Sequence, residues 1–156
     1  MRDAGGEWRW SAFDELTARE VHDLLRLRMD VFVVEQACAF AEIDGKDPDA
    51  LHLRRFDGGD LAGCLRLFTP SAPDWRARIG RIATAPAHRG SGLGHALMAE
   101  VLRLCAERFP GAAIDLSAQA HLEVFYRRHG FLPVSDIYLE DDIPHLDMRR
   151  QADRAT

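Results

Sequence analysis

The stretch His88-Arg89-Gly90-Ser91-Gly92-Leu93-Gly94-His95 decides the interpretation of this chain of 156 residues. It lies between an apolar run, residues 79–84, and a segment whose apolar spacing is that of a helix. Glycine at three alternate positions lets the backbone turn tightly and approach a ligand closely. A helix that begins at the end of such a turn presents unpaired N–H groups, which attract anions. The stretch therefore predicts a phosphate-binding turn between a strand and a helix.

The charge near this turn supports the same interpretation. No Asp or Glu occurs between Asp74 and Glu100, whereas four arginines and two histidines fall in that interval. Because the whole chain has a net charge of -5, this acid-free interval indicates a locally positive site. A glycine-rich surface loop before an ordinary helix remains the alternative, since short glycine motifs have many false positives.

The glycine spacing distinguishes this turn from the commoner phosphate-binding turns. A P-loop ends in Gly-Lys-Ser/Thr, and the dinucleotide fingerprint G-x-G-x-x-G has a glycine where His95 stands. The pattern that fits is Arg-x-x-Gly-x-Gly, with Arg89, Gly92 and Gly94. In this motif the sequence resembles the GNAT superfamily of acyl-CoA-dependent N-acyltransferases. The segment Phe125-Tyr126-Arg127-Arg128-His129-Gly130-Phe131 is similar to the F-Y-x-x-x-G-F segment of that superfamily.

Four further segments resemble the ElaA-type branch of the superfamily, namely residues 27–36, 43–45, 118–122 and 143–145. The resemblance and the length of the chain predict one α/β (α+β) domain over residues 1–156, with a polar tail from residue 149. We expect a mixed, mostly antiparallel sheet of six or seven strands with about four helices.

Local signals predict the elements of this fold. Thr17 followed by Glu20 is a capping box, which opens a helix that we expect to reach about Val33. The run Asp57-Gly58-Gly59-Asp60 predicts a hairpin. Strand 78–84, helix 94–109 and strand 112–117 form a crossover unit, so the two strands are predicted to be parallel. A second helix over 120–129 precedes strands at 131–138 and 145–148.

The resemblance implies that the cosubstrate is acetyl-CoA. Its pyrophosphate would lie at the turn, and its pantetheine arm would run along the main chain of the preceding strand. Gln119 stands near the position where the superfamily commonly has Asn, so this contact is altered or lost. The predicted cosubstrate-binding residues are Ile82, Ala83, Thr84, Arg89, Gly90, Ser91, Gly92, Leu93, Gly94, His95, Gln119 and Tyr126.

Tyr126 matches the superfamily tyrosine that lies beside the thioester sulfur, and it is the predicted general acid. A phenol is protonated at neutral pH and can donate its proton to a departing thiolate; by residue type alone Tyr126 would be a core aromatic. The general base is left open between Glu35 and His121. His52 and His145 fall in predicted strands, where we expect structural roles. The predicted acceptor-binding residues are Arg28, Glu35, Gln36 and Asp44.

Acidic segments at 42–49 and 140–142 favour a cationic acceptor, such as a primary amine of a small metabolite or of a peptide. For residues 42–49 the alternative is a solvated acidic loop without a ligand. Net negative charge argues against nucleic acid as a partner. The three cysteines form neither a disulfide framework nor a metal-ligand pattern, and no signal peptide or membrane span is evident. We therefore expect a cytoplasmic, metal-free protein, with an edge strand or the last hairpin available for a homodimer.

Two other functions remain open. The pattern of Arg28, residues 31–32 and Glu35 also resembles acyl-homoserine-lactone synthases, which have the same fold and use S-adenosylmethionine with an acyl carrier protein. The intact Arg-x-x-Gly-x-Gly motif favours acyl-CoA instead. A non-catalytic acyl-CoA-binding or partner-regulating domain would keep the turn, although the presence of Tyr126 argues against it.

Overall fold

The computed structural model describes residues 6–153, which fall into two compact units. The first unit consists of the chain up to Leu67 together with Arg81–Leu97. The second consists of Phe68–Gly80 and the chain from Met98 onward. Strand β4 and helix α2, defined below, each contribute residues to both units.

Residues 6–153 form eight strands and three α-helices. The strands are β1 (Gly6–Ala12), β2 (Leu51–Asp57), β3 (Asp60–Phe68), β4 (Arg76–Thr84), β5 (Ala113–Gln119), β6 (Leu132–Pro133), β7 (Tyr138–Glu140) and β8 (Ile143–Arg150). The helices are α1 (Ala18–Met29), α2 (Leu93–Arg108) and α3 (Glu123–Arg127). Strand order in the sheet is β1-β2-β3-β4-β5-β8-β6, with β7 paired to β8. Strands β4 and β5 are parallel, as predicted, and the β2–β3 hairpin is confirmed.

In the first unit, α1 begins at the predicted capping box. Thr17 Oγ1 accepts a hydrogen bond from the Glu20 backbone N–H (3.1 Å), and Glu20 Oε1 accepts one from the Thr17 N–H (3.0 Å). The α-helix ends at Met29, before the predicted Val33, and continues as a π-helical turn over Asp30–Glu35. The apolar spacing did not separate the two, because a π turn continues the helix with only slightly wider spacing. This turn places Glu35 at its last position.

In the second unit, β5 and β8 each present an apolar and a polar face. Ile114, Leu116 and Ala118 are buried on one face of β5, and the residues that alternate with them are half-buried on the other. Strand β8 is antiparallel to β5, with Ser117 opposite Asp147. Directly opposed residues of antiparallel strands project from the same face of the sheet. One face of β5 and β8 is therefore lined by polar side chains.

Three expectations about the C-terminal part need correction. The single strand predicted over 131–138 is two short strands, β6 and β7, separated by an irregular segment, which raises the strand count to eight. The helix predicted over 120–129 begins as a 3-10 turn (Ala120–Leu122) and is α-helical only from Glu123 to Arg127, so three α-helices replace about four. The polar tail starts later than predicted, because Arg149 and Arg150 pair with β5 inside β8.

Candidate active site

The glycine turn has the backbone geometry that its sequence predicts. Gly90 and Gly92 have φ angles of +85° and +80°, and no atom lies within 4 Å of the position that a Cβ would take at either residue. The Ala96 N–H donates to the Gly92 carbonyl (3.0 Å), so Gly92 precedes the first turn of α2. An α-helix leaves the N–H groups of its first turn, here including those of Leu93 and Gly94, without intrahelical partners. This cradle of glycines and helix N–H groups fits a diphosphate.

Arg89 connects this turn to the end of β4 and to the π-helical turn. Its Nη2 donates to the Thr84 carbonyl (2.9 Å) and to Glu35 Oε2 (2.7 Å), and its Nη1 donates to Glu35 Oε1. The hydrogen bond from Arg89 lowers the pKa of Glu35. The structure thus pairs Arg89, which is predicted to bind the pyrophosphate, with Glu35, a predicted general base. A carboxylate with a lowered pKa is a weaker base, which argues against that role while the pair is intact.

The end of β4 lies beside the glycine turn. Arg81 has a φ of +52° inside this strand, a left-handed conformation that is uncommon for a residue with a side chain. Pairing with β5 is described only for Arg76–Arg78 with Ala113–Asp115, so Ile82–Thr84 lie beyond the described β4–β5 register. Ala83 is buried, and its carbonyl lies 3.2 Å from where a Cβ on Gly63 would be. A side chain at Gly63 would require the Ala83 carbonyl to move by a few tenths of an ångström, so glycine suits this close approach of β3.

A buried ion-pair network, formed by Arg28, Arg66, Arg81, Glu42, Asp44 and Asp47, lies in the first unit. Arg28 donates from Nε to Glu42 Oε1 (2.6 Å) and from Nη1 to Asp47 Oδ1 (2.8 Å). Arg66 donates to Asp44 Oδ2 (2.6 Å) and also to Asp47 Oδ1 (2.9 Å). Three positive and three negative side chains therefore neutralise one another.

The position of Arg81 completes this network. Its Nη2 donates to the Glu42 carbonyl (3.0 Å), and its Nε lies 3.0 Å from Glu42 Oε1. Its guanidinium also lies over the Phe40 ring, 5.6 Å from the centroid. These contacts fasten the loop that follows the π-helical turn to β4.

The network bears on two expectations about the acceptor. Arg28 is only 1% exposed and bonded to Glu42 and Asp47, so its guanidinium holds the loop, and its contact with an acceptor stays a prediction. Three of the four carboxylates in residues 42–49 belong to the network, so this segment is not a free acidic surface. Asp44 is one of them, and the hydrogen bond from Arg66 holds its pKa well below its usual range. Gln36 is exposed just after the π-helical turn and stays a predicted acceptor contact.

The second unit contains the other predicted catalytic side chains. Tyr126 lies on α3, is 7% exposed, and packs edge-on against Phe125 (ring centroids 5.0 Å apart) and Phe131 (6.2 Å). Burial raises its pKa to about 12, which keeps the phenol protonated at neutral pH, as a general acid requires. Gln119 ends β5, and His121 is exposed in the 3-10 turn that follows.

Sequence reasoning missed most of the ion-pair network. The sequence places Glu42 and Asp47 in an acidic loop and gives Arg66 no role, and it counts Arg81 only among the positive charges near the glycine turn. One signal was available, because Arg66 stands between Leu65 and Leu67 in the run 61–68, which contains no other charged residue. A charge in a buried strand requires a partner, although the sequence does not say which one.

Residues 6–153 contain no group of three or more His, Cys, Asp or Glu that could hold a metal. They also contain no helix long and apolar enough to span a membrane.

A model of the acetyltransferase (GNAT) domain matches residues 20–152. The chain belongs to the GNAT family. Protein ElaA of Escherichia coli K12 is 37% identical over 151 residues, which cover 96% of this chain and 99% of ElaA. A UPF0039 protein of Schizosaccharomyces pombe is 38% identical to this GNAT chain over 145 residues, which cover 92% of this chain and 95% of that protein.

Solved GNAT structures agree with this membership. The structure of an acyl-CoA N-acyltransferase from Pseudomonas aeruginosa superposes with a TM-score of 0.87 and 44% identity, covering 93% of this chain and 99% of that chain. The structure of E. coli ElaA gives a TM-score of 0.86 and 36% identity over 94% and 99% of the two chains. GNAT membership implies a transferase with an acyl-CoA cosubstrate. A CoA-dependent acyl-homoserine lactone synthase, BjaI, shares only the fold, at 18% identity and a TM-score of 0.78.

Proposed function

We propose that this GNAT protein transfers the acetyl group of acetyl-CoA to an amine. The observation that supports this most strongly is the glycine turn, where Gly90 and Gly92 adopt left-handed conformations at the start of a 16-residue helix. The P. aeruginosa relative, described as an acyl-CoA N-acyltransferase, gives independent support at 44% identity.

In this proposal the turn binds the pyrophosphate of acetyl-CoA. The N–H groups from Gly90 to His95 supply donors, and Ser91 reinforces the turn by donating from Oγ to the His88 carbonyl (3.0 Å). Arg89 supplies a positive charge once its guanidinium exchanges Glu35 for phosphate oxygens. The main chain of Ile82, Ala83 and Thr84 binds the pantetheine arm, and Gln119 offers a side-chain amide to the same arm.

The chemistry requires a neutral amine, a polarised thioester carbonyl and a proton for the thiolate. Acetyl-CoA supplies the thioester, whose carbonyl carbon the amine nitrogen attacks. Tyr126 then donates its phenolic proton to the sulfur as the carbon–sulfur bond breaks. Burial raises the pKa of Tyr126 and makes the phenol a weaker acid, but desolvation also makes a developing thiolate a stronger base, which favours this proton transfer.

The general base and the acceptor contacts are assigned less firmly than the pyrophosphate site, and they concern Glu35, His121 and Gln36. Glu35 is held by Arg89 and is disfavoured as the base, while His121 is exposed and stays one candidate for it. Gln36 remains a proposed acceptor contact. A cytoplasmic location, a homodimer, and the absence of nucleic acid, membrane and metal from the reaction stay predictions of the sequence.

The test is the acceptor-dependent release of free CoA from acetyl-CoA, measured with a thiol reagent. The panel contains butylamine, 1,4-diaminobutane, lysine amide and a neutral alcohol of similar size. We expect release with at least one amine, and a decrease in kcat of about 10²- to 10⁴-fold for Tyr126→Phe.

Three outcomes would contradict the proposal. Acylation of the alcohol alone would exclude an amine acceptor. Tight acetyl-CoA binding without acceptor-dependent release would indicate a non-catalytic domain. Turnover that requires S-adenosylmethionine and an acylated carrier protein would indicate an acyl-homoserine-lactone synthase.

A further inference from the structure

Three adjacent strands of the second unit align polar side chains in one row. In the β5–β8 register Gln119 is opposite His145, and in the β7–β8 register Tyr138 is opposite the same histidine. Residues that are directly opposed share a face. Gln119, His145 and Tyr138 therefore lie side by side on the polar face, with Ser117 and Asp147 two residues along their strands.

Hydrogen bonds fix the geometry of this row. Tyr138 donates from its phenol to Asp147 Oδ1 (2.6 Å), and Ser117 Oγ donates to the same oxygen (3.0 Å). Arg78 in turn donates to Ser117 Oγ (2.6 Å). The Tyr138 ring stacks on the imidazole of His145 at a centroid distance of 6.2 Å and an angle of 22°. The Tyr138 ring, itself fixed by Asp147, therefore restricts the orientation of the His145 ring.

The protonation of His145 follows from its neighbours. Its Nδ1 lies 2.7 Å from the Ile143 carbonyl oxygen, which only accepts hydrogen bonds, so Nδ1 bears the hydrogen. In the neutral ring Nε2 therefore keeps the lone pair. Glu140 Oε2 lies 3.5 Å from this nitrogen. A side chain with an unprotonated ring nitrogen can accept a proton there, as a general base does.

We propose that the face formed by Gln119, Tyr138, His145 and Asp147 binds the acceptor amine, and that His145 Nε2 is the general base. This inference rests on the acyl transfer proposed above. It assigns a catalytic role to a histidine that the sequence placed among structural residues. The ion-pair network neutralises the acidic residues 42–49, but the acidic residues near this face, Glu140, Asp141 and Asp142, are exposed on the β7–β8 hairpin and can attract a cationic acceptor.

The protons balance in this scheme. The amine nitrogen forms a bond to the thioester carbon, and its excess proton goes to His145 Nε2 as the carbon–sulfur bond breaks. Tyr126 gives one proton to the thiolate, and the proton held by His145 returns to the phenolate through solvent. The products are the N-acetyl amine and CoA with a free thiol. An acceptor that arrives as an ammonium ion releases one further proton to solvent.

The acidic hairpin indicates the class of acceptor. Glu140 and Asp147 place carboxylates on or beside the proposed face, and such charges favour a molecule that has a positive charge besides its reactive amine. We expect kcat/KM to be higher for 1,4-diaminobutane than for butylamine. Glu140→Gln should reduce that preference while leaving the affinity for acetyl-CoA unchanged.

The decisive variant is His145→Gln, with His22→Gln on the exposed surface of α1 as the matched control. We expect His145→Gln to lower kcat at least about 100-fold with the acetyl-CoA dissociation constant within twofold of the wild-type value. The fall in kcat/KM on acidification should disappear in this variant. The titratable groups near His145 are Tyr138 and Glu140 on β7, Asp147 on β8 and His121 in the 120–122 turn, so the same profile is recorded for His121→Gln.

A second readout does not depend on turnover. In the wild-type protein, the imidazole nitrogen resonances of His145 should shift on addition of the best amine of the panel, and those of His22 should not. Tyr138→Phe should raise the KM for the amine, because the ring loses its hydrogen bond to Asp147.

The outcomes separate the two proposals. A wild-type protein without acceptor-dependent CoA release overturns both of them. Wild-type turnover together with unchanged kcat and pH profile in His145→Gln overturns the assignment of His145 and leaves acyl transfer standing. If His145→Gln does not fold, an unchanged amine KM in Tyr138→Phe and unshifted His145 resonances would overturn the assignment.

Discussion

At the scale of single residues, the guanidinium of Arg89 connects the turn predicted to bind pyrophosphate with Glu35, a residue predicted to contact the acceptor. It bonds to Glu35 and to the Thr84 carbonyl, and phosphate oxygens have to replace Glu35 if the guanidinium is to bind a pyrophosphate. Removing the competing charge should therefore favour the cosubstrate. We expect Glu35→Gln to tighten acetyl-CoA binding about two- to fivefold, the effect of losing one exposed ion pair, as measured by calorimetry.

The control for this change is Glu107→Gln. Glu107 also forms an exposed ion pair with an arginine, Arg103, but on the last turns of α2 rather than at the glycine turn. Its substitution should leave acetyl-CoA affinity unchanged. Weaker binding in Glu35→Gln would contradict the competition and indicate instead that Glu35 orients Arg89 for the ligand.

At the scale of elements, the ion-pair network fastens the loop after the π-helical turn to β3 and β4. Asp47 accepts hydrogen bonds from both Arg28 and Arg66, so its removal leaves two buried guanidinium groups short of a partner. We expect Asp47→Ala to lower the free energy of unfolding by about 3–5 kcal/mol. Asp49 is exposed in the same 3-10 turn (Asp47–Asp49), and Asp49→Ala should change the free energy of unfolding by less than about 0.5 kcal/mol. Urea denaturation at pH 7 measures both.

The pH dependence of stability provides a second test of the network. Burial opposes the charged form of Asp47, but hydrogen bonds from Arg28 and Arg66 outweigh it and lower the pKa of Asp47 in the folded state. A lowered folded pKa stabilises the protein above the unfolded value of about 3.9, and this stabilisation is lost as the pH falls through the folded value. Asp47→Ala should therefore flatten the loss of stability below about pH 4. An equally steep loss in the variant would contradict this account.

How far the sequence predicts these elements depends on the range of the interactions involved. The capping box at Thr17, the hairpin at Gly58 and the phosphate turn at Gly92 are local, because a few adjacent residues determine the backbone. The ion-pair network joins residues from Arg28 to Arg81, and nothing in the sequence selects which carboxylate meets which arginine. The left-handed Arg81 is equally invisible, because surrounding contacts impose that conformation rather than the residue type.

At the scale of the whole molecule, the family and the sheet follow from the sequence, and the acceptor site does not. Two motifs in the right order, around Arg89 and around Tyr126, were enough for the fold and the acyl-CoA class. The acceptor was expected at the acidic residues 42–49, whose charges the structure neutralises. Recognition of the row at Gln119, Tyr138 and His145 requires the register of β5, β8 and β7, which the sequence does not supply for a strand as short as β7.

Calorimetry of acetyl-CoA binding shows whether the turn from Arg89 to Gly94 holds the cosubstrate. Gly92→Glu places a side chain and a negative charge against the pyrophosphate. Gly59→Glu is the matched control, because Gly59 has a similar φ of +87°, equally open surroundings and a place in the β2–β3 hairpin. We predict one bound acetyl-CoA in the wild type and in Gly59→Glu, and at least tenfold weaker binding in Gly92→Glu. Equal binding in all three proteins, or none in the wild type, would contradict the account.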